Sequence, residues 1–244
     1  MNPKKNRKPR HHKNFPTRFS HLDKESRKEP NPIVAIGASA GGFEAVSSLF
    51  QNLSSRTGMA FIYVQHLSPD RPSELVPLLS RTTKMKVQEV KDRILMKPDN
   101  VYVIPFNKGI EVTDGHIKSL PRPLGSNAIF IDVLFSSLAE THKKNSIGII
   151  LSGNGSDGAQ GLKAIKQTGG VTFAQDDSAK FESMPQAAVA TGAVDFVLSP
   201  KEIAREIMRI SKKGFTHSPL HRRGAVACPI PQVGRVRLKP NILI

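Results

Sequence analysis

An α/β domain built on a doubly wound, mainly parallel sheet flanked by helices is the fold class the sequence predicts, on three observations. Short β-rich runs alternate with helical patterns along residues 33–211. Several runs, such as Ile33-Val-Ala-Ile36 and Ile147-Gly-Ile-Ile-Leu151, are apolar almost throughout, as strands covered on both faces must be. One stretch, 101–118, breaks the alternation with short β-like pieces around Thr113-Asp114-Gly115. Asp-Gly is a hairpin turn signal, so a β-hairpin insertion is expected there.

In chain order, the apolar run at 33–37 predicts a first strand, and the small residues after it lead into a helix at 42–53. The aromatic and β-branched run at 59–65 predicts the second strand, followed by a short helix at 73–81. A strand at 101–105 precedes the hairpin, and a longer helical pattern covers 127–144. Strands at 147–153, 171–175 and 194–198 then alternate with helices at 159–167, 185–191 and 200–210.

The 244 residues include 36 Lys and Arg against 20 Asp and Glu, a formal charge of +16. The excess is terminal: residues 1–32 carry ten basic and three acidic side chains, and 212–244 carry seven basic and none acidic. The 179 residues between are nearly balanced and long enough to bury a core without a disulfide or metal staple. The expected organisation is a disordered basic arm at 1–32, a catalytic domain at 33–211, and a basic linker or atypical tail at 212–244. Isolated basic arms of this kind are more often simply solvated, so no specific nucleic-acid partner is expected. A lone Cys228 rules out a disulfide framework, and no apolar stretch is long enough to span a membrane. His11-His12-Lys13 follows the basic N-terminal run where a signal peptide needs an apolar segment, so a cytoplasmic protein is expected.

Chemistry in open parallel sheets gathers beyond the carboxyl ends of the strands. After the first strand comes Gly37-Ala38-Ser39-Ala40-Gly41-Gly42, with the Gly-x-Ser-x-Gly spacing of a nucleophile elbow. After the second comes His66, and after the strand ending near Leu151 comes Gly153-Asn154-Gly155-Ser156-Asp157-Gly158. Serine, histidine and aspartate are the parts of a nucleophile, a base and an orienting acid. Each also has a plainer explanation. Ser39 suits a helix N-cap, Asp157 suits a cap on the helix beginning at Ala159, and His66 suits a surface turn before Pro69. The order Ser, His, Asp differs from the Ser, Asp, His order of α/β-hydrolases.

A rival function occupies the same residues. Gly153-x-Gly155-x-x-Gly158 follows a strand, opens a helix and precedes Asp176-Asp177 by about 20 residues, the form of a dinucleotide fingerprint. Against it, Asp157 would set a carboxylate beside the pyrophosphate, and Ser39 and His66 would be left without a role.

Five segments carry a resemblance. Ile33-Val-Ala-Ile-Gly-Ala-Ser-Ala-Gly-Gly42, Val64-Gln-His-Leu-Ser-Pro-Asp70, Val101-Tyr-Val-Ile-Pro105, Leu151-Ser-Gly-Asn-Gly-Ser-Asp-Gly158 and Met184-Pro-Gln-Ala-Ala188 resemble the catalytic domain of CheB-type protein-glutamate methylesterases of bacterial chemotaxis. The wording is most similar to the module of methylesterase/methyltransferase fusion proteins. The resemblance implies a serine hydrolase that removes methyl esters from chemoreceptor glutamates and also deamidates glutamine, with Ser39, His66 and Asp157 catalytic. It implies backbone amides of Ala40 and Asn154 as oxyanion donors, no cofactor, a methyl-accepting chemoreceptor or similar methylated signalling protein as partner, and a methyltransferase counterpart. Ala40 stands where the family often has Thr, and Asn154 where it often has Met. The phosphoacceptor receiver domain of classical members is not expected in 32 arm residues. A non-catalytic receptor-binding module of the same fold is the remaining alternative, which the three intact site side chains disfavour.

Overall fold

The computed structural model of the protein describes residues 31–66, 74–121 and 129–213. The arm to residue 30, the tail from 214 with Cys228, the segment Leu67-Ser-Pro-Asp70, and the expected helix starts at 73 and 127–128 lie outside the described residues. In chain order the elements are β1 (Ile33–Ala38), α1 (Gly42–Gln51), β2 (Ala60–Gln65), α2 (Leu75–Leu79), β3 (Lys86–Glu89), β4 (Arg93–Leu95), β5 (Asn100–Val103), β6 (Lys108–Thr113), β7 (His116–Pro121) and α3 (Phe130–His142). There follow β8 (Ser146–Ile150), α4 (Ala159–Gln167), β9 (Val171–Gln175), α5 (Ser183–Ala190), β10 (Phe196–Leu198) and α6 (Pro200–Lys213).

Seven strands form one parallel sheet in the order β10-β9-β8-β1-β2-β5-β3. Its centre is β1, buried at all six positions. Val34, Ile36 and Ala38 point into the core under α1 and α6, while Ile33 and Ala35 point into the core under α3 and α4. A strand with a hydrophobic layer on each face must be apolar at consecutive positions, which explains the runs seen in the sequence. Edge strands β3 and β10 are largely half-buried or exposed.

The hairpin insertion is present, but it begins later than 101 and is larger than a hairpin. β5 joins the parallel sheet, and β6 and β7 then pair antiparallel around Asp114 and Gly115, whose φ angles are 47° and 73°. Two positive φ values in a two-residue loop define the turn that matches strand twist. β4 adds a third strand, and the resulting sheet packs on α3 through Ile110, Val112 and Ile117. β3 and β4 were not expected from the sequence. β3 is polar at three of its four positions and β4 has only three residues, so neither shows strand alternation. The strand expected to 153 ends at Ile150, leaving the following residues free for the site, and α6 runs three residues past its expected end.

His142 is buried at the last turn of α3, and burial lowers its pKa below the ordinary histidine value. The folded state therefore favours neutral imidazole, while the unfolded chain protonates near pH ~6.5. The associated stability is complete above that value and is lost as pH falls below it toward the lower folded pKa. His142→Phe should therefore show a smaller fall in Tm between pH 7.5 and 5 than the unaltered protein. An equal fall in both would place the acid sensitivity elsewhere.

Candidate active site

Sheet register brings two of the expected residues side by side. Ala38 is the register partner of Gln65 between β1 and β2, so Ser39 and His66 leave adjacent strands together, about 5 Å apart along the backbone. The His66 N–H donates to the Ala38 carbonyl at 3.1 Å. On its other side β1 pairs with β8, and the Ser39 N–H donates to the Ser152 carbonyl at 3.0 Å. Successive strands run outward in opposite directions from β1 and β8, making this crevice the topological switch point of the sheet.

Ser39 is not the cap of α1. That position is held by Gly41, with φ of 70° and no side-chain cap bond. A side chain at Gly41 would be strained, and its Cβ would lie 2.8 Å from Ser152 Oγ and 3.1 Å from Lys180 Cβ. The turn closes through Gly42 N–H donating to Ser39 O at 3.0 Å.

Asp157 reaches His66 from the β8–α4 loop: His66 Nε2 lies 2.8 Å from Asp157 Oδ2. An ionised carboxylate only accepts, so Nε2 carries the proton and Nδ1 is left to act as a base. The imidazole side chain is 27% exposed and the carboxylate 9%, so the ring faces the crevice while its partner is enclosed. Phe130 sits against the ring at a centroid distance of 6.0 Å.

Asp157 also caps a helix, but not its own. Oδ2 accepts the Ile131 N–H and Oδ1 the Asp132 N–H, both at 3.0 Å, at the start of α3, whereas α4 has no side-chain bond from its N-cap residue, Gly158. The expectation that the plain alternative for Asp157 is a cap on α4 is corrected accordingly. Three donors, the His66 ring and the two α3 amides, fix both oxygens in place. Asp132 in turn accepts the Gly161 N–H at 2.6 Å at the start of α4. Burial raises the Asp132 pKa above the usual carboxylate range, the charge of Asp157 adds to that rise, and the α4 backbone amides oppose it.

A layer of polar groups braces the turns. Ser152 Oγ donates to Ala40 O at 2.8 Å and accepts the Phe181 N–H at 3.0 Å. Gln175, at the end of β9, accepts the Ser152 N–H, and Gln65, at the end of β2, donates to Ser39 O. Gln65 in turn accepts from the hydroxyl of Tyr63, whose pKa is pushed up by burial and by Glu44 so that it remains a neutral donor. These braces went unnoticed in the sequence, where the available signal was a glutamine closing an otherwise apolar strand in two places. Among the described residues no acceptor takes the amides of Ala40 or Asn154, while those of Ser39, Gly153 and Gly155 are all used.

The glycine fingerprint is not free to cradle a phosphate. Gly153 donates to Phe181 O and accepts from Met184 N–H, and a Cβ there would collide with Met184 Sδ. The carboxylate at the start of α4 is that of Asp132, not Asp157 as the sequence suggested. Its like charge repels a pyrophosphate from that position. Among the described residues no cluster of three or more His, Cys, Asp or Glu is arranged to hold a metal, and no helix is long and apolar enough to cross a membrane.

Fold and site together define a doubly wound α/β domain with Ser39, His66 and Asp157 gathered at its switch point. The CheB methylesterase family model matches residues 34–207, and the chain belongs to that family. A putative protein-glutamate methylesterase/protein-glutamine glutaminase of Leptospira interrogans is 34% identical over 75% of this chain and 96% of its own length. The corresponding protein of Photorhabdus laumondii is 34% identical over 74% of this chain but only 51% of its own length. The catalytic domain of Thermotoga maritima CheB methylesterase superposes with a TM-score of 0.68 and 27% identity, over 74% of this chain and 98% of that domain.

Ser152→Ala should leave the Phe181 N–H and one bond to Ala40 O unmade inside the protein, costing about 1–3 kcal/mol. Exposed Ser80→Ala should cost less than about 0.5 kcal/mol. Denaturant unfolding of both variants measures the difference, and equal values would remove Ser152 from the bracing layer.

Proposed function

We propose that this protein is a cytoplasmic protein-glutamate methylesterase that hydrolyses glutamyl γ-methyl esters on a methyl-accepting chemoreceptor and deamidates glutamine at the same site. The observation that carries the reading is the His66–Asp157 pair beside Ser39 at the switch point, in a chain of the CheB methylesterase family. A methyltransferase that forms these esters is the counterpart partner. The proposed site needs no metal or organic cofactor for its chemistry.

Ser39 Oγ attacks the ester carbonyl carbon while His66 Nδ1 takes its proton. The imidazolium so formed faces Asp157, which stabilises the charge and holds the ring. The carbonyl oxygen becomes an oxyanion that the amides of Ala40 and Asn154 receive. As the tetrahedral centre collapses, the carbon–oxygen bond to the methoxy group breaks, and methoxide leaves as methanol with the proton from His66. Water then attacks the acyl-serine with His66 again accepting a proton, and returning it to Ser39 Oγ frees the glutamate. With a glutamine substrate the same steps release ammonia.

The test is release of labelled methanol from a methyl-labelled receptor. The unaltered chain should release it, and Ser39→Ala and His66→Ala should abolish release while still unfolding cooperatively. Near-normal turnover in either variant would sink the assignment.

Asp157→Asn should lower turnover by about three to four orders of magnitude, because an amide holds the ring in the wrong tautomer and cannot offset the imidazolium charge. If Asp157 served only as a cap, Asn would substitute with little loss of turnover.

A further inference from the structure

We infer that Asp132 is a positioning residue for the His66–Asp157 pair: by capping α4 from the first turn of α3, it keeps Asp157 from capping its own helix and leaves it on His66. The inference rests on the function proposed above.

Asp157 lies immediately before Gly158, the N-cap residue of α4, where a short acidic side chain ordinarily folds onto the first amides of the helix that follows. Those amides are already taken. Asp132 Oδ1 accepts the Gly161 N–H at 2.6 Å, and the amides of Gly158 and Gln160 also stabilise its charge. Asp157 instead crosses to α3, where it accepts the N–H groups of Ile131 and of Asp132 itself. Each helix thus receives its cap from the chain of the other, and the two carboxylates are joined through the Asp132 backbone. The helices are close enough for this because Gly161 sits against Phe135 and the Asp132 backbone.

Without the Asp132 carboxylate, the first amides of α4 lose their acceptor. The nearest replacement along the chain is Asp157, and its move to α4 removes the acceptor from His66 Nε2. One carboxylate can still cap one helix, so the loss falls on the ring more than on stability.

The experiment compares Asp132→Ala, Asp132→Asn and Ser137→Ala in the full chain. Ser137 holds Val112 N–H from α3, remote from the pair, and controls for general weakening of that helix. Three readouts are taken: kcat and KM for labelled receptor, Tm, and the NMR signal of the His66 Nε2–H. Asp132→Ala should lower kcat about tenfold or more with KM within about twofold, because a small displacement of a catalytic group is enough for that. It should also shift or broaden the ring N–H signal. Asp132→Asn, which keeps the acceptor oxygen, should restore most of kcat and the signal, and Ser137→Ala should change neither. If Asp132→Ala does not fold, Asp132→Ser, with its oxygen on a shorter arm, is held to the same criteria. An unchanged ring signal and kcat in the tested variant, or an equal loss in Ser137→Ala, would overturn the inference. Should the unaltered chain hydrolyse no ester, the functional reading fails, while the ring signal still reports whether Asp132 holds the pair.

Discussion

The parallel register that places β1 between β2 and β8 is the constraint on which the rest of the structure depends. β1 is buried at every position and carries no polar side chain, so chemistry on it is confined to the residue that follows its end. Because the sheet grows outward in opposite directions from β1 and β8, the loops beyond those strand ends diverge and leave a crevice at Ser39. The strand on one side delivers His66 at the next register position, and the strand on the other delivers the loop that carries Asp157. No long-range accident is needed to assemble the three side chains.

Precision at the site comes from backbone groups held by buried polar side chains. Ser152, Gln65 and Gln175 each hold a main-chain atom of the turns around Ser39, and the two glutamines use their remaining amide atoms on Tyr63 and Ser178. Buried groups of this kind are stabilising only when satisfied, and an unsatisfied one is costly enough to discourage alternative loop arrangements. The same economy explains why the amides of Ala40 and Asn154 stand out. The amides of Ser39, Gly153 and Gly155 beside them are already committed to internal acceptors.

Legibility in the sequence followed burial. β1, β2, β8 and β9 were readable within a few residues because strands covered on both faces must be apolar, and the Asp114-Gly115 turn was readable because few residues adopt two successive positive φ values. β3 and β4 were not, since β3 is a polar edge strand that looks like loop and β4, at three residues, is too short to show alternation. Ser39, His66 and Asp157 were visible as strand-end residues. Their braces were not, because a serine or glutamine is recognised as a brace only by the main-chain atom it holds, and that atom lies on another loop.

Asp157 shows where a local reading of sequence goes astray. Cap and catalytic carboxylate look like competing explanations when only the following helix is considered. In the fold the same carboxylate caps a different helix and meets the ring: the amides of Ile131 and Asp132 at the start of α3 hold it, and one of the oxygens they orient lies against His66. An exposed surface aspartate would lose rotamer entropy on fixing the ring, and solvent would screen its charge. A carboxylate fixed by two helix amides has lost that freedom already and keeps its charge near the imidazole. The cap is therefore what equips the residue for the proposed chemistry, and the helix that supplies it, α3, belongs to the site as much as the loops do.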